Sequence, residues 1–189
     1  MPGLETKKSC ITSRSESETI ELGRQIGRLL APGDVVYLFG DMGTGKTRIA
    51  KGLINAATNT PLDDINSPTF TLINRYQGDL AVYHADLYRV EQGELEDIGI
   101  EMVEESQGAL VVEWAEKVPK LDENALRIHL SHTDDENVRI IVLECPQEGS
   151  WSSRLWTRRM SDDEEEAVGR NPYKHEQPYA CDGESLCRS

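Results

Sequence analysis

Asp34-Val35-Val36-Tyr37-Leu38-Phe39-Gly40-Asp41-Met42-Gly43-Thr44-Gly45-Lys46-Thr47 is the stretch that decides how this chain folds. Its last eight residues fit the pattern G-x-x-x-x-G-K-[ST] at every fixed position. Glycines permit positive φ, so backbone N–H groups can turn inward and form a nest for phosphate oxygens. Lys46 brings a compact cation to the β and γ phosphates, and the Thr47 hydroxyl suits Mg²⁺. The six residues before the loop are strand formers in a largely apolar run, the pattern of a buried parallel strand. After the loop, Ile49, Ala50, Leu53, Ile54 and Ala57 recur at helical spacing. A helix starting there adds its positive end to the same anion site. Strand, glycine loop and helix together imply a P-loop domain that binds a nucleoside triphosphate. Asp41, Met42, Gly43, Thr44, Gly45, Lys46 and Thr47 are its candidate phosphate contacts.

Working outward, Ser15 to Leu30 reads as a helix, with Ser15-x-x-Glu18 as a capping box and Ile20, Ile26, Leu29 and Leu30 as the apolar face. Pro32-Gly33 closes it before the P-loop strand. Asp63 to Pro68 reads as loop. Thr69–Tyr76 and Leu80–Ala85 are strand-like runs around a Gln77-Gly78-Asp79 turn. Val90–Ser106 carries Leu95, Ile98, Met102 and Val103 among many acids, an amphipathic helix with a solvated face. Gly108–Trp114 is a second buried strand, and Ala125–Leu130 with Val138–Leu143 makes a further hairpin. The expected fold class is α/β, in a single domain with a C-terminal tail. Residues 1–11 read as an N-terminal arm and 12–145 as the domain. Residues 146–160, with Trp151, Leu155, Trp156, Arg154, Arg158 and Arg159, read as a short amphipathic helix, either docked on the domain or held for a partner. The acidic run that begins at Ser161 opens a tail, 161–189, expected to be disordered.

Composition narrows the partners. The chain has 189 residues and a formal net charge of −14, which argues against a broad basic surface for DNA, RNA or an anionic membrane. Any tRNA involvement is expected to be indirect, through a partner protein. No apolar run reaches membrane-span length and the first eleven residues lack a signal-peptide centre, so the expectation is cytoplasmic. Cys10, Cys145, Cys181 and Cys187 are scattered, without a C-x-x-C pair, and read as free thiols.

A P-loop binds phosphate; hydrolysis needs an acid beside the metal. Glu113 ends the apolar run Leu110-Val111-Val112, and Asp86 follows Val82-Tyr83-His84-Ala85. Both sit where an α/β sheet places its active site, at the carboxyl ends of strands. Either can hold Mg²⁺ directly or through water, or position the attacking water; each also reads as a plain strand-end acid. Ser67-Pro68-Thr69-Phe70-Thr71 presents three hydroxyls before a strand. It reads equally as a switch-like loop sensing the γ-phosphate or as a plain turn. His84 reads as a buried, hydrogen-bonded histidine or a group behind the site, and His129 and His132 as surface residues. The chain has no Asn-Lys-x-Asp guanine-reading motif and no arginine-rich lid segment in its core. A GTPase and a small-molecule kinase are thereby disfavoured. An ATPase and a nucleotide-gated binding module in which hydrolysis is incidental both remain.

Gly40–Thr47, Ser67–Thr71, His84-Ala85-Asp86-Leu87-Tyr88-Arg89, Glu94-Leu95-Glu96-Asp97-Ile98-Gly99 and Val112-Glu113-Trp114 occur in this order. The series closely resembles the TsaE (YjeE-type) P-loop ATPases of tRNA threonylcarbamoyladenosine (t6A) biosynthesis, over about residues 12–145. The resemblance implies a P-loop NTPase-like mixed, mainly parallel central sheet flanked by helices, and an ATPase that works with TsaB–TsaD-type proteins, with ATP and Mg²⁺ as cofactors. It implies that Lys46 binds phosphate, that Thr47 and Glu113 bind Mg²⁺, and that Asp86 supports the metal or the catalytic water. Trp114 is expected beside the nucleotide, with Ser15–Thr19, Glu16 among them, bordering the adenine, and Thr69 near the phosphates. The acidic segment after about residue 150 has no counterpart in compact family members, so nothing about it carries over.

Overall fold

Val35–Phe39 is a strand (β2) and Lys46–Thr58 a helix (α2), as the patterns on either side of the glycine loop require. They belong to a computed structural model that describes residues 5–68, 71–90 and 107–155, all within one unit, Met1–Leu155. The other elements are β1 (Thr6–Ser13), α1 (Glu16–Gly27), β3 (Ile73–Tyr76), β4 (Val82–Asp86), β5 (Ala109–Glu113), β6 (Leu126–His132) and β7 (Arg139–Pro146). The strands form one mixed sheet in the order β1-β7-β6-β2-β5-β4-β3. Its centre is parallel: β2 pairs with β5 and β6, and β4 with β5. These central strands carry the apolar residues, and β4 and β5 are buried along their whole length, as strands covered on both faces must be. Antiparallel β7 and β1 extend one side and β3 the other.

Both hairpins expected from the sequence form, β3–β4 and β6–β7. The stretch read as an N-terminal arm, however, supplies most of β1. Its sequence Thr-Lys-Lys-Ser-Cys-Ile-Thr-Ser has no run of apolar residues, because an edge strand needs only one partner and buries little. His129, expected at the surface, is half-buried, with its ring stacked on Phe39 at 4.6 Å; burial pushes its imidazole pKa down. Cys10 is exposed and Cys145 buried, and no disulfide joins the two. Apart from Val90, the expected helix over Val90–Ser106 lies outside the described residues, as does the acidic tail.

Ser15 caps α1: its Oγ accepts from the Glu18 N–H at 3.1 Å, and the Glu18 carboxylate accepts the Arg14 N–H at 2.7 Å. That is the capping arrangement the spacing predicts, with the return bond shifted by one residue. α1 ends at Gly27, three residues early, because Leu29 and Leu30 close a tighter turn onto Ile26 and Gly27. Two glycines then let α1 lie directly on α2. A Cβ on Gly52 would stand 2.1 Å from the Ile20 carbonyl oxygen, and one on Gly23 2.4 Å from that of Ile49. This close contact brings the start of α1 to the P-loop.

The far end of β2 is held by the helical segment 150–155. Trp151 is 1% exposed. Arg154 grips both carboxylate oxygens of Asp34, at 2.6 and 2.7 Å, and also donates to the Leu29 carbonyl. Its guanidinium lies 4.2 Å over the Trp151 ring. Of the two readings of this segment, its first residues fit the docked one. A fork-shaped cation on a nearly buried carboxylate fixes where β2 enters the sheet.

Two stability changes follow from these contacts. Trp151→Ala should lower the unfolding free energy by about 3–5 kcal/mol, the usual loss for emptying a buried Trp position, measured by urea titration. Gly52→Ala should cost about 1–3 kcal/mol in the same assay, since two helix backbones must part to admit a methyl group.

Candidate functional site

The glycine loop leaves β2 with backbone angles that favour glycine. Gly40, Gly43 and Gly45 have φ of 135°, 79° and 102°. At Gly40 there is also no room: a Cβ would lie 2.3 Å from the Leu130 carbonyl oxygen. Thr44 folds back so that its Oγ1 donates to the Asp41 carbonyl at 2.9 Å. α2 starts at Lys46 with Gly45 as its N-cap and no side chain capping it. Its first N–H groups thus face the loop's concavity, where an anion would satisfy them.

Lys46 reaches back across this loop. Its Nζ donates to the Asp41 carbonyl at 2.8 Å and to that of Gly40, and stands 3.6 Å over the Trp114 ring. Burial pushes its ammonium pKa below the usual lysine value; the carboxylates of Glu116, Glu113, Asp86 and Asp41 push back up. Trp114 holds φ 60°, ψ 44°, a left-handed conformation that is strained for a bulky residue. That turn aims its ring back over the loop, with Tyr88 beside it at 4.9 Å.

Thr47 and Glu113 meet directly: the Thr47 hydroxyl donates to Glu113 Oε2 at 2.8 Å. Asp86 is the register partner of Glu113 across the β4–β5 ladder. Its Oδ1 accepts the Tyr88 N–H at 2.9 Å and its Oδ2 accepts the Ser67 hydroxyl. Both acids are nearly buried, at 5% and 2% exposure. A hydroxyl and carboxylates at the mouth of a phosphate nest form a set of hard oxygen donors. That chemistry suits Mg²⁺, which takes one or two protein oxygens and fills its octahedron with phosphate and water. No group of three or more His, Cys, Asp or Glu among the described residues is arranged to hold a metal.

All of this lines one cleft of about 670 Å³, large enough for a nucleotide. Met42, Gly43, Thr44, Gly45, Lys46, Thr47, Asp86, Glu113 and Trp114 line it as the sequence suggests, and so do Ser15, Glu16 and Thr19 of α1. Glu16 is paired with Arg48 at 2.9 Å, which ties α1 to α2 at the cleft rim. Asp41 is not among the residues that line the cleft; its carbonyl accepts from Lys46 Nζ. Thr69 and the Glu94–Gly99 motif lie outside the described residues. The sequence reading missed Arg48, Tyr88, Glu136, Asn137 and Arg139 as site residues, and they also line the walls. The last three come from the β6–β7 connection, where Arg139 donates to the Gly43 carbonyl at 3.4 Å. Beside it, His132 lies 3.0 Å from the Met42 carbonyl oxygen. Nothing in a polar turn's composition marks it as a cleft wall; only the pairing of β6 with β2 carries it there.

A parallel-centred sheet whose strand β2 runs into this glycine nest, with acids ending β5 beside it and β4 beyond, defines a P-loop α/β protein. More narrowly, the chain belongs to the TsaE family: the family model described as threonylcarbamoyl adenosine biosynthesis protein TsaE matches residues 13–141. Proteins called tRNA threonylcarbamoyladenosine biosynthesis protein TsaE are similar to it. That of Treponema pallidum is 41% identical over 132 residues, covering 69% of this chain and 96% of the relative. That of Nostoc sp. is 36% identical over 125 residues, covering 64% and 76%. A crystal structure of Bacillus subtilis YdiB superposes with a TM-score of 0.66 at 27% identity, covering 84% of this chain and 98% of that one.

A cation whose pKa falls on folding holds fewer protons folded than unfolded, from its folded value up to 10.5. Lys46 therefore contributes a stability that rises with pH through that window. Urea unfolding without added nucleotide should show this alkaline rise, and Lys46→Met should remove it.

Proposed function

We propose that this protein is a Mg²⁺-dependent ATPase of t6A biosynthesis, acting with TsaB–TsaD-type partners in the cytoplasm. The observation that carries the reading is the contact of the P-loop hydroxyl with a strand-end carboxylate, Thr47 to Glu113 at 2.8 Å, beside Asp86. Family membership supports the pathway. No helix among the described residues is long and apolar enough to cross a membrane. The net charge of −14 supports proteins, with tRNA met only through them, as the contacts.

In this reading the loop amides and Lys46 bind the β and γ phosphates. Lys46 exchanges its bonds to the Gly40 and Asp41 carbonyls for phosphate oxygens. Thr47 and Glu113 would hold Mg²⁺, which when bound offsets the charge of the phosphates. Asp86, fixed by the Tyr88 N–H and the Ser67 hydroxyl, is placed to orient the attacking water. Glu16 and its neighbours on α1 border the base, and Trp114 shields the phosphate end from solvent. Thr69 follows Ser67 by two residues in the sequence and is assigned to the phosphates on that ground.

One observation favours a companion reading in which occupancy itself is the signal. Ser67 bonds Asp86, so the loop that opens at residue 66 is tied to the acid of the site. A change at the γ-phosphate would then be felt in that loop and by whatever rests on it.

Fluorescent-nucleotide titration and phosphate release test both readings. Lys46→Ala should weaken ATP binding by about 10- to 100-fold, the loss of a charged hydrogen-bond donor. Glu113→Ala should keep ATP binding and lose hydrolysis. Wild-type release should be slow alone and accelerate with TsaB and TsaD; no stimulation under any condition overturns the pathway reading. If t6A formation persists with Glu113→Ala, occupancy is the signal and hydrolysis is incidental.

A further inference from the structure

His84 is a fully buried titratable side chain behind the cleft, at 0% exposure. On β4 it lies two residues before Asp86, so both side chains leave the same face of the strand, the face that meets Glu113. Its Nε2 is 2.9 Å from Glu113 Oε1. The Nδ1 has no hydrogen-bond partner among the described residues. A hydrogen on Nδ1 would be a buried donor without an acceptor, so the geometry places the ring hydrogen on Nε2, donating to Glu113.

Glu113 is therefore held at both oxygens by different neighbours: Oε1 by His84 and Oε2 by Thr47. We propose that His84 is a positioning residue that locks the Glu113 carboxylate, reserving Oε2 for the metal beside Thr47. The proposal rests on the Mg²⁺ reading given above. A terminal carboxylate torsion is broad and two-fold. Without a second donor, a carboxylate at a strand end can rotate and present either oxygen or both. A ring donor suits the task where a lysine or arginine would not. It satisfies Oε1 through one N–H and adds no mobile cation to compete with a metal for the carboxylate. The ring is braced in turn: the Tyr76 ring lies 6.4 Å away, and Tyr76 Oη donates to the Asn66 carbonyl at 3.1 Å. His84 thus sits between the carboxylate and the root of the loop that carries Ser67.

An ordinary core histidine would leave metal binding untouched once the protein folds. The test is titration of fluorescent mant-ADP with and without Mg²⁺, on the full chain and on two variants, with urea unfolding as the control for folding. His84→Met fills the space without a donor; His84→Gln returns an N–H near the position of Nε2. With His84→Met, affinity without metal should stay at the wild-type level, while the Mg²⁺ concentration required should rise by about 10- to 100-fold. His84→Gln should recover most of that loss. Wild-type Mg²⁺ dependence in His84→Met overturns the proposal, as does an equal defect in His84→Gln. A wild type indifferent to Mg²⁺ instead overturns the metal reading and takes this proposal with it. Should His84→Met fail to fold, ¹⁵N NMR of the wild-type imidazole decides. A hydrogen on Nε2, whose signal moves in Glu113→Gln, upholds the lock; a hydrogen on Nδ1 sinks it.

Discussion

The parallel pairing of β2 with β5, which sets Leu38 opposite Glu113, is the constraint on which the site depends. Two adjacent strands end at one level, and each chain then leaves the sheet through a positive-φ residue, Gly40 after β2 and Trp114 after β5. The two exits open the crevice between them, where α/β sheets place their ligands. At Gly40 the turn needs glycine for space as well as for angle, because the Leu130 carbonyl closes off any Cβ. At Trp114 a bulky residue takes an unfavourable angle, and the ring it delivers lies over Lys46. Strain at one exit and close packing at the other serve the same few ångströms of cleft.

The second wall is set by contact between helices. α1 reaches the loop only because glycines at 23 and 52 let its backbone rest on that of α2. The Glu16–Arg48 pair then ties the two helix starts together at the rim. That pair is half-exposed, so its Coulomb energy is small; its consequence is geometric. The clamp of Arg154 on Asp34 acts at the opposite end of β2, fixing the strand whose other end is the phosphate nest. A segment remote in sequence thus holds the base of the strand that carries the site.

Where the sequence was readable, local physics and tertiary need agreed. β2, the glycine loop and α2 each have one pattern and one solution, and the apolar run ending in Glu113 has room in a parallel sheet only at its centre. Asp86 and Glu113 could be named from strand ends alone, but their adjacency could not, since it comes from the β4–β5 register. β1 was missed because an edge strand with one neighbour needs no apolar period. Glu136, Asn137 and Arg139 were missed for another reason: a polar turn looks alike whether it faces solvent or a cleft. The docking of Trp151 was half legible, as the Trp/Arg spacing marked an amphipathic segment without naming its partner.

Charge closes the argument. The chain carries −14 overall, and four carboxylates, Glu116, Glu113, Asp86 and Asp41, act on Lys46 at the loop. Lys46, itself disfavoured by burial, is outnumbered by the acids around it. Two of those acids are nearly buried, where an uncompensated negative charge is costly. The Thr47 and Ser67 hydroxyls, the Tyr88 N–H and the His84 ring are among the groups that hold them in place. A cleft built this way keeps its anions ready for a cation that arrives with the phosphate. Metal and nucleotide are then expected to bind as one unit, each making the other's charge tolerable.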